Sequence, residues 1–346
     1  EKIQDMKKKS NRVTITQVAE KSKVTIGTVS HVINGTAPIS PEVTARVQKV
    51  IEELNYIPNM TARSLRSKKS KQVGFLVPNL NNSFYPRILS TFINHAFEHE
   101  FIVQIFGYEY SVEKELQVMN NLSSNSVDIV IIINGMGDEA GINRLLDMHK
   151  KVILADRFSD MKGVNCIFFD NNQAILEAVA LMKSKGYRKI GFISEPLTFT
   201  NIQERFAGFQ AALSACGYAF AEDDVFICGG FQLDALVNGY HYMNNILEKR
   251  DKKHLPDAFI ATSDLLAIGT IRALREHGYQ VPGDFGIISF DNIEISSFVN
   301  PRLTTIEQNQ TDMGTELFHL VQAISENKNV SDKIILPQKL IIRDSC

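Results

Sequence analysis

The chain has 346 residues, with 37 Lys+Arg against 39 Asp+Glu and a formal charge of −2. At about 150 residues per domain the length implies two or three domains, and 44% hydrophobic with 22% charged residues excludes wholesale disorder. The near-zero total does not exclude nucleic acid, because residues 1–71 carry 14 Lys+Arg and 6 Asp+Glu, a net of +8, whereas 72–346 carry 23 and 33, a net of −10. Such a split predicts a basic module that meets a polyanion, joined to an acidic module that does not.

In chain order, residues 12–57 read as three short helices. Thr16 is the expected N-cap of the first, with Val18 and Ala19 opening its apolar face. Thr25 caps a second helix from Ile26 to Asn34, which Gly35 ends. On a helical wheel Val29, Val32 and Ile33 share one side of it. Gly27, Ser30, His31 and Asn34 share the other. Ser40 caps the third helix, Pro41 takes its first position, and Val43, Val47, Val50, Ile51 and Leu54 form its apolar stripe. Two short helices joined by a tight turn and braced by a third predict a helix-turn-helix, with the second helix in the major groove. A small helical bundle with a solvated face is the alternative. The charge of this module favours the DNA reading, since cation–phosphate contacts supply much of the affinity.

Residues 58–71 read as a basic linker. Asn59 can cap a helix over 60–67, and isolated helices under about 12–15 residues are marginal on their own. From residue 72 onward, short apolar runs alternate with helical patterns. Strands are expected over 73–77, 102–106, 127–133, 152–155, 190–194, 225–228, 258–261 and 286–289. Helices are expected over 85–98, 172–185, 202–216 and 265–277. Buried strands with helical crossovers predict an α/β class with parallel sheets. The length predicts two lobes, with ligand at the carboxyl ends of the strands where the lobes meet. The nearest dinucleotide fingerprint, Gly135-Met136-Gly137 to Gly141, has one residue too many. No nucleophile elbow, zincin helix or phosphate loop is present, so no catalytic residue and no cofactor are assigned and the chain is not read as an enzyme.

No apolar run approaches the roughly 20 residues of a membrane span, and the basic N-terminus is not followed by the apolar segment of a secretory signal. Cys166, Cys216, Cys228 and Cys346 show no metal-ligand spacing. Reduced structural thiols in a cytoplasmic protein without a metal are expected.

The stretch ITQVAEKSKVTIGTVSHVING, followed by YIPNMTARSLR, resembles the lactose-repressor family of bacterial transcription regulators. The resemblance implies base readout by Ile26, Gly27 and His31, with Thr25, Thr28, Ser30 and Asn34 beside them. Gly27 departs from the more polar residues common there and has no side chain to read with. It also implies a hinge helix that orders on DNA, with Leu65 wedged into the minor groove and Arg63 and Arg66 on phosphates. Further on, VGFLVPNLNNSFY, VILADRF, NIQERFAGFQAAL, IATSDLLAIG, ISFDN and LTTIEQ resemble that family's effector domain and the periplasmic sugar receptors. The implied fold is a small all-α helix-turn-helix head plus a two-lobed, periplasmic-binding-protein-like α/β effector domain at 72–346. Lobe 1 would hold about 72–170 and 308–333, lobe 2 about 171–307 and 334–346. The implied pocket is Asn82, Phe84, Tyr85, Asp156, Arg157, Arg205, Phe231, Ser263, Asp291 and Gln308.

These residues suit a polyol, since acids, amides and arginines pair with hydroxyls and aromatic rings cover a sugar face. Two arginines in the cleft would also hold a carboxylate, so a sugar and a sugar acid both stay open. Ser263 departs from the Asn or Asp typical of sugar receptors. No leucine heptad follows the strand-like 339–342, so a homodimer on operator DNA is expected. The expected function is a transcriptional regulator, a repressor of carbohydrate genes, controlled by a small effector. A catabolite-control type of regulator, answering mainly to a phosphoprotein partner, would keep the fold without needing the cleft.

Overall fold

The computed structural model describes residues 13–56, 71–124, 126–137, 139–229 and 234–346. The hinge assignments at Arg63, Leu65 and Arg66, and the pocket assignment at Phe231, lie outside the described residues. The chain divides into two units between Ser70 and Lys71.

The first unit holds α1 (Ile15–Ser22), α2 (Ile26–Asn34) and α3 (Pro41–Glu53). The N-cap of α1 is Thr14, not Thr16: its side chain accepts from the Gln17 amide while the Gln17 side chain accepts from the Thr14 amide. This reciprocal box satisfies two donors that a cap at Thr16 would leave open, and the sequence reading missed Gln17 as its partner. Thr25 caps α2, its hydroxyl 3.1 Å from the Thr28 amide, and Gly35 ends the helix at φ 61°, a conformation that suits glycine. Ser40 caps α3 ahead of Pro41. Val18, Ala19, Val29, Val47, Val50 and Tyr56 are buried together, with Val32, Ile33, Val43, Ile51 and Leu54 packed around them. The expected apolar faces therefore meet, and Tyr56 joins them from beyond the third helix.

The second unit holds two six-stranded sheets. The first contains β1 (Gln72–Val77), β2 (Ile102–Gly107), β3 (Ile129–Ile133), β4 (Lys151–Ala155), β5 (Val164–Phe169) and β11 (Lys333–Leu336), in the order β11-β5-β4-β3-β1-β2. All its pairs are parallel. The second contains β6 (Ile190–Ser194), β7 (Val225–Ile227), β8 (Ala258–Ala261), β9 (Gly286–Asp291), β10 (Thr304–Gln308) and β12 (Gln338–Ile341), in the order β12-β10-β9-β8-β6-β7. Only β12 runs antiparallel, against β10. Strands such as Ile129–Ile133 are buried along their whole length, as sheets covered on both faces require. Phe75, Ile131 and Ile153 face one core with the helices Phe84–Glu98 and Gln310–Ser325, whereas Leu76, Val130 and Leu154 face another.

The chain passes between lobes after β5, after β10 and after β11. Two expected limits shift. Gln308 ends β10 and belongs to the second sheet, not the first. Residues 333–336 pair with β5 in the first sheet, so the last crossing comes after Leu336 instead of at 333. Leu336 is buried in the first core, with Ile334 packed against it. Strands β5, β10 and β11 were not among the sequence expectations; β11 is a four-residue edge strand with mixed burial, a weak signal by period alone. Among the described residues no helix is long and apolar enough to cross a membrane.

In the second lobe the helices Ala235–Leu247 and Asp264–Glu276 cross in near backbone contact. A Cβ on Gly269 would lie 2.0 Å from the Leu236 carbonyl oxygen, and one on Gly239 would lie 2.3 Å from that of Leu266. Backbone atoms cannot swing aside, so Gly269→Ala should force the helices apart and destabilise this unit by about 1–3 kcal/mol. A urea titration reads this as a lower midpoint, and an unchanged midpoint would disprove the tight crossing.

Candidate functional site

The first candidate surface is the outer face of α2. Ile26 is 38% exposed, and Gly27 and His31 are also exposed. The His31 Nδ1 lies 2.8 Å from the Thr36 hydroxyl, which fixes the ring and leaves Nε2 toward solvent. Thr25 and Thr28 are tied to each other through their hydroxyls at 3.0 Å. Asn34 is half-buried and turned back on its own helix, its amide donating to the Ser30 carbonyl (2.7 Å) and hydroxyl (3.3 Å). Ile26, Gly27 and His31 thus share one exposed face of α2, while Asn34 braces the helix end.

The second candidate surface is the cleft between the two lobes, at the carboxyl ends of the strands. Three polar residues at strand ends hold left-handed backbone: Asn134 after β3 (φ 58°), Asp156 after β4 (φ 52°) and Asp291 closing β9 (φ 107°). Such strain in non-glycine residues persists where surrounding contacts enforce it, commonly at functional sites. Of the sequence-assigned residues, Asn82, Phe84, Tyr85, Asp156, Arg205, Ser263 and Asp291 line one cavity. Asn79, Tyr110, Asn134, Glu195, Phe199, Asn201, Asp234, Asn238 and Thr262 also line it and were not anticipated.

Arg205 organises the second-lobe side. It is 3% exposed. Its guanidinium donates to the Thr262 carbonyl (2.7 Å), the Gln308 side chain (2.6 Å) and Asn171 (3.4 Å). The same group lies 4.4 Å from the centre of the Phe290 ring. Asp156, from the first lobe, accepts from Asn201 of the second at 2.7 Å, a direct bond across the cleft. With its amide oriented to satisfy both ends, Asn134 accepts from the Tyr85 hydroxyl at 3.1 Å and donates to the Asp156 carbonyl at 2.8 Å. Phe84 and Tyr85 meet edge to face at 5.5 Å, and Tyr110 and Phe199 lie 5.6 Å apart, giving aromatic walls.

Two assignments do not hold a place on the cavity wall. Gln308 is fully buried and acts through Arg205. Arg157 is buried beside Gly135, its Nη1 3.4 Å from the Asn134 carbonyl. The expected two-arginine clamp is therefore not formed. The reason is local: the left-handed turn at Asp156 sends that side chain into the cleft and its neighbour away from it.

Burial dominates the electrostatics. It pushes the Asp156 carboxyl up to about 6, against the pull of Arg205 and the Asn201 hydrogen bond. It holds Asp291 well above the usual carboxylate range, opposed by Arg205 and reinforced by Asp264, Glu195 and Asp156. Burial also raises Tyr85 strongly and Tyr110 to about 12, so both phenols stay protonated donors. Glu195 accepts hydrogen bonds from the hydroxyls of Thr262 and, at 2.7 Å, Ser263. Beneath the wall, buried Asp264 accepts from Thr305 (2.7 Å), from the Ile293 amide (2.9 Å) and from Ser289. It pins β9 to β10 and supports the Asp291 loop. The signal that would have found Asn134, Glu195 and Thr262 is simple: each is the first polar residue beyond a buried strand.

Known proteins match both parts of the chain. Residues 14–59 match the family described as bacterial regulatory proteins, lacI family, and residues 179–346 match the periplasmic binding protein-like domain. Catabolite control protein A of Priestia megaterium is 30% identical over 338 residues, 96% of this chain and 99% of the relative. The HTH-type transcriptional repressor PurR of Pasteurella multocida (strain Pm70) is 30% identical over 337 residues, 96% and 98% respectively. Among solved structures, a lac repressor dimer bound to operator and the anti-inducer ONPF superposes with a TM-score of 0.84 at 25% identity, covering 97% of this chain and 99% of that one. A CelR–cellobiose complex gives a TM-score of 0.71 at 25% identity, covering 97% and 100%. The relatives are transcriptional regulators and not enzymes.

Proposed function

Because the chain belongs to the LacI family of bacterial regulatory proteins, we propose that this DNA-binding transcriptional regulator represses carbohydrate-utilisation genes under control of a small polyhydroxylated effector held between its lobes. It acts as a homodimer on a near-palindromic operator in the cytoplasm, where that DNA lies. The observation that carries the reading is the cleft itself. Asp156, Arg205 and Asp291 converge there with Phe84, Tyr85 and Phe199, which is a paired polar set beside flat apolar walls. Arg157 lies off the wall, so a carboxylate-bearing effector has one arginine to meet and several acids to repel it.

Control follows if the effector binds one arrangement of the lobes better than the other, since only differential affinity shifts an equilibrium. The test is fluorescence anisotropy of the full chain on operator-sized duplexes, with and without a panel of sugars. The expected result is salt-dependent specific binding that a hit from the panel weakens. Full operator affinity at saturating ligand would refute induction by that ligand. On the DNA side, His31→Ala should weaken specific binding about tenfold while leaving non-specific binding in place, as loss of a base contact does. An equal loss on both kinds of DNA would make His31 a structural residue.

The likeness to catabolite control protein A favours a second reading, in which a phosphoprotein partner sets the DNA affinity. In that case the sugar panel leaves operator binding unchanged and the partner alters it.

A further inference from the structure

The cleft carries more acid than a neutral sugar needs. Among the described residues that line it, Asp156, Glu195, Asp234 and Asp291 are acids and Arg205 is the one base. That base is already engaged by Thr262, Gln308, Asn171 and the Phe290 ring. Asp156 is 3% exposed, and its Oδ1 has no hydrogen-bond partner among the described residues, although its Oδ2 accepts from the Asn201 amide. Asp291 is 7% exposed and lines the same cavity. Burial disfavours its ionised form, Arg205 opposes that, and the neighbouring charges of Asp264, Glu195 and Asp156 add to it. Glu195 is positioned as well: hydroxyls from Thr262 and Ser263 hold its two oxygens at the start of the helix Asp264–Glu276.

A ligand hydroxyl donates one hydrogen bond to such a group and brings no charge to offset the burial that disfavours its ionised form. An ammonium offers three donors and a full positive charge. A metal ion is a poorer fit, because no three acids, histidines or cysteines among the described residues are grouped to share one. We propose that the effector carries an ammonium group on a polyhydroxylated skeleton, as in an amino sugar, and that Glu195, together with Asp156 and Asp291, selects that charge. This rests on the reading of the cleft as an effector site. The small Ser263 side chain fits the arrangement: it leaves room for Glu195 and donates to it.

The test is isothermal titration of the full chain with glucosamine, galactosamine and mannosamine, each beside its parent hexose, its N-acetyl derivative and the corresponding uronate. The expected result is that at least one amino sugar binds about tenfold or more tightly than both its parent and its N-acetyl form, because acetylation removes the charge. Glu195→Gln should bring that ratio close to one. If a parent hexose or uronate binds as tightly as the best amino sugar, or the ratio survives Glu195→Gln, charge selection is overturned while the sugar-effector reading stands. If no sugar of any class binds, the effector reading falls and this inference with it.

Discussion

Arg205→Ala is expected to abolish effector binding, weakening it by about a hundredfold or more, and to lower the stability of the two-lobed unit as well. Removal of the guanidinium breaks three hydrogen bonds and the Phe290 contact at once. It also takes away the cation that opposes the raised carboxyls of Asp156 and Asp291. Breaking a buried charge arrangement by deleting one partner costs on the order of 3–5 kcal/mol. Arg205→Lys should not rescue binding. A single ammonium on a flexible stem cannot span the Thr262 carbonyl, Gln308 and Asn171 together, as the planar fork does. Calorimetry of ligand binding and a thermal melt check the two halves separately. Normal affinity in Arg205→Ala would remove Arg205 from the site, whatever the melt shows. Gln308→Leu should act in the same direction but more weakly, since it removes one of the three acceptors that aim the guanidinium.

Much of this arrangement can be read in the residues, for physical reasons that differ from element to element. The helical head is legible because its signals are local: Thr25 and Ser40 are caps, Gly35 is a terminator, and the apolar stripe of α3 has a helical period. The cap of α1 is misread by two residues because Thr14 and Thr16 are both competent and only Gln17 decides between them. Central strands such as Ile129–Ile133 are legible as apolar runs. Edge strand Lys333–Leu336 is not, because a strand with one covered side carries a mixed pattern. In the cleft, Asp156, Arg205 and Asp291 are reached through family motifs. Tyr110 is not, since only the folded topology brings its turn to the cleft, whereas Asn201 opens the motif that carries Arg205 and Glu195 follows a buried strand, yet neither is assigned. Arg157 shows the opposite failure: adjacency in sequence to Asp156 suggests a shared role, and the backbone turn at Asp156 denies it.

The buried acids should give the protein an unusual dependence of stability on pH. A free aspartate titrates near about 3.9, whereas Asp156 and Asp264 are raised to about 6 in the folded chain and Asp291 higher. Between those values the folded state binds more protons than the unfolded one, so its stability falls as pH rises. The contribution is complete below about 4 and is lost through about 6, with the Asp291 part lost later. Paired acids nearer the surface, such as Asp284 and Asp344, are lowered by Lys252 and Arg302, and they withdraw their support only below the usual carboxylate range. The melting temperature of the ligand-free chain should therefore peak near about pH 5 and drop by several degrees by pH 7.5, at about 2–4 °C per kcal/mol for a unit of this size. Asp291→Asn should raise the melting temperature at pH 7.5 and flatten the profile, because the amide needs no ionised form to be buried. The same substitution should cost effector affinity. Stability given up at Asp291 is then stability held in reserve for the ligand, whose binding relieves the buried charge. A profile that rises steadily from pH 5 to 7.5, or an Asp291→Asn variant less stable than the parent at pH 7.5, would mean that these carboxylates are compensated by the protein's own groups.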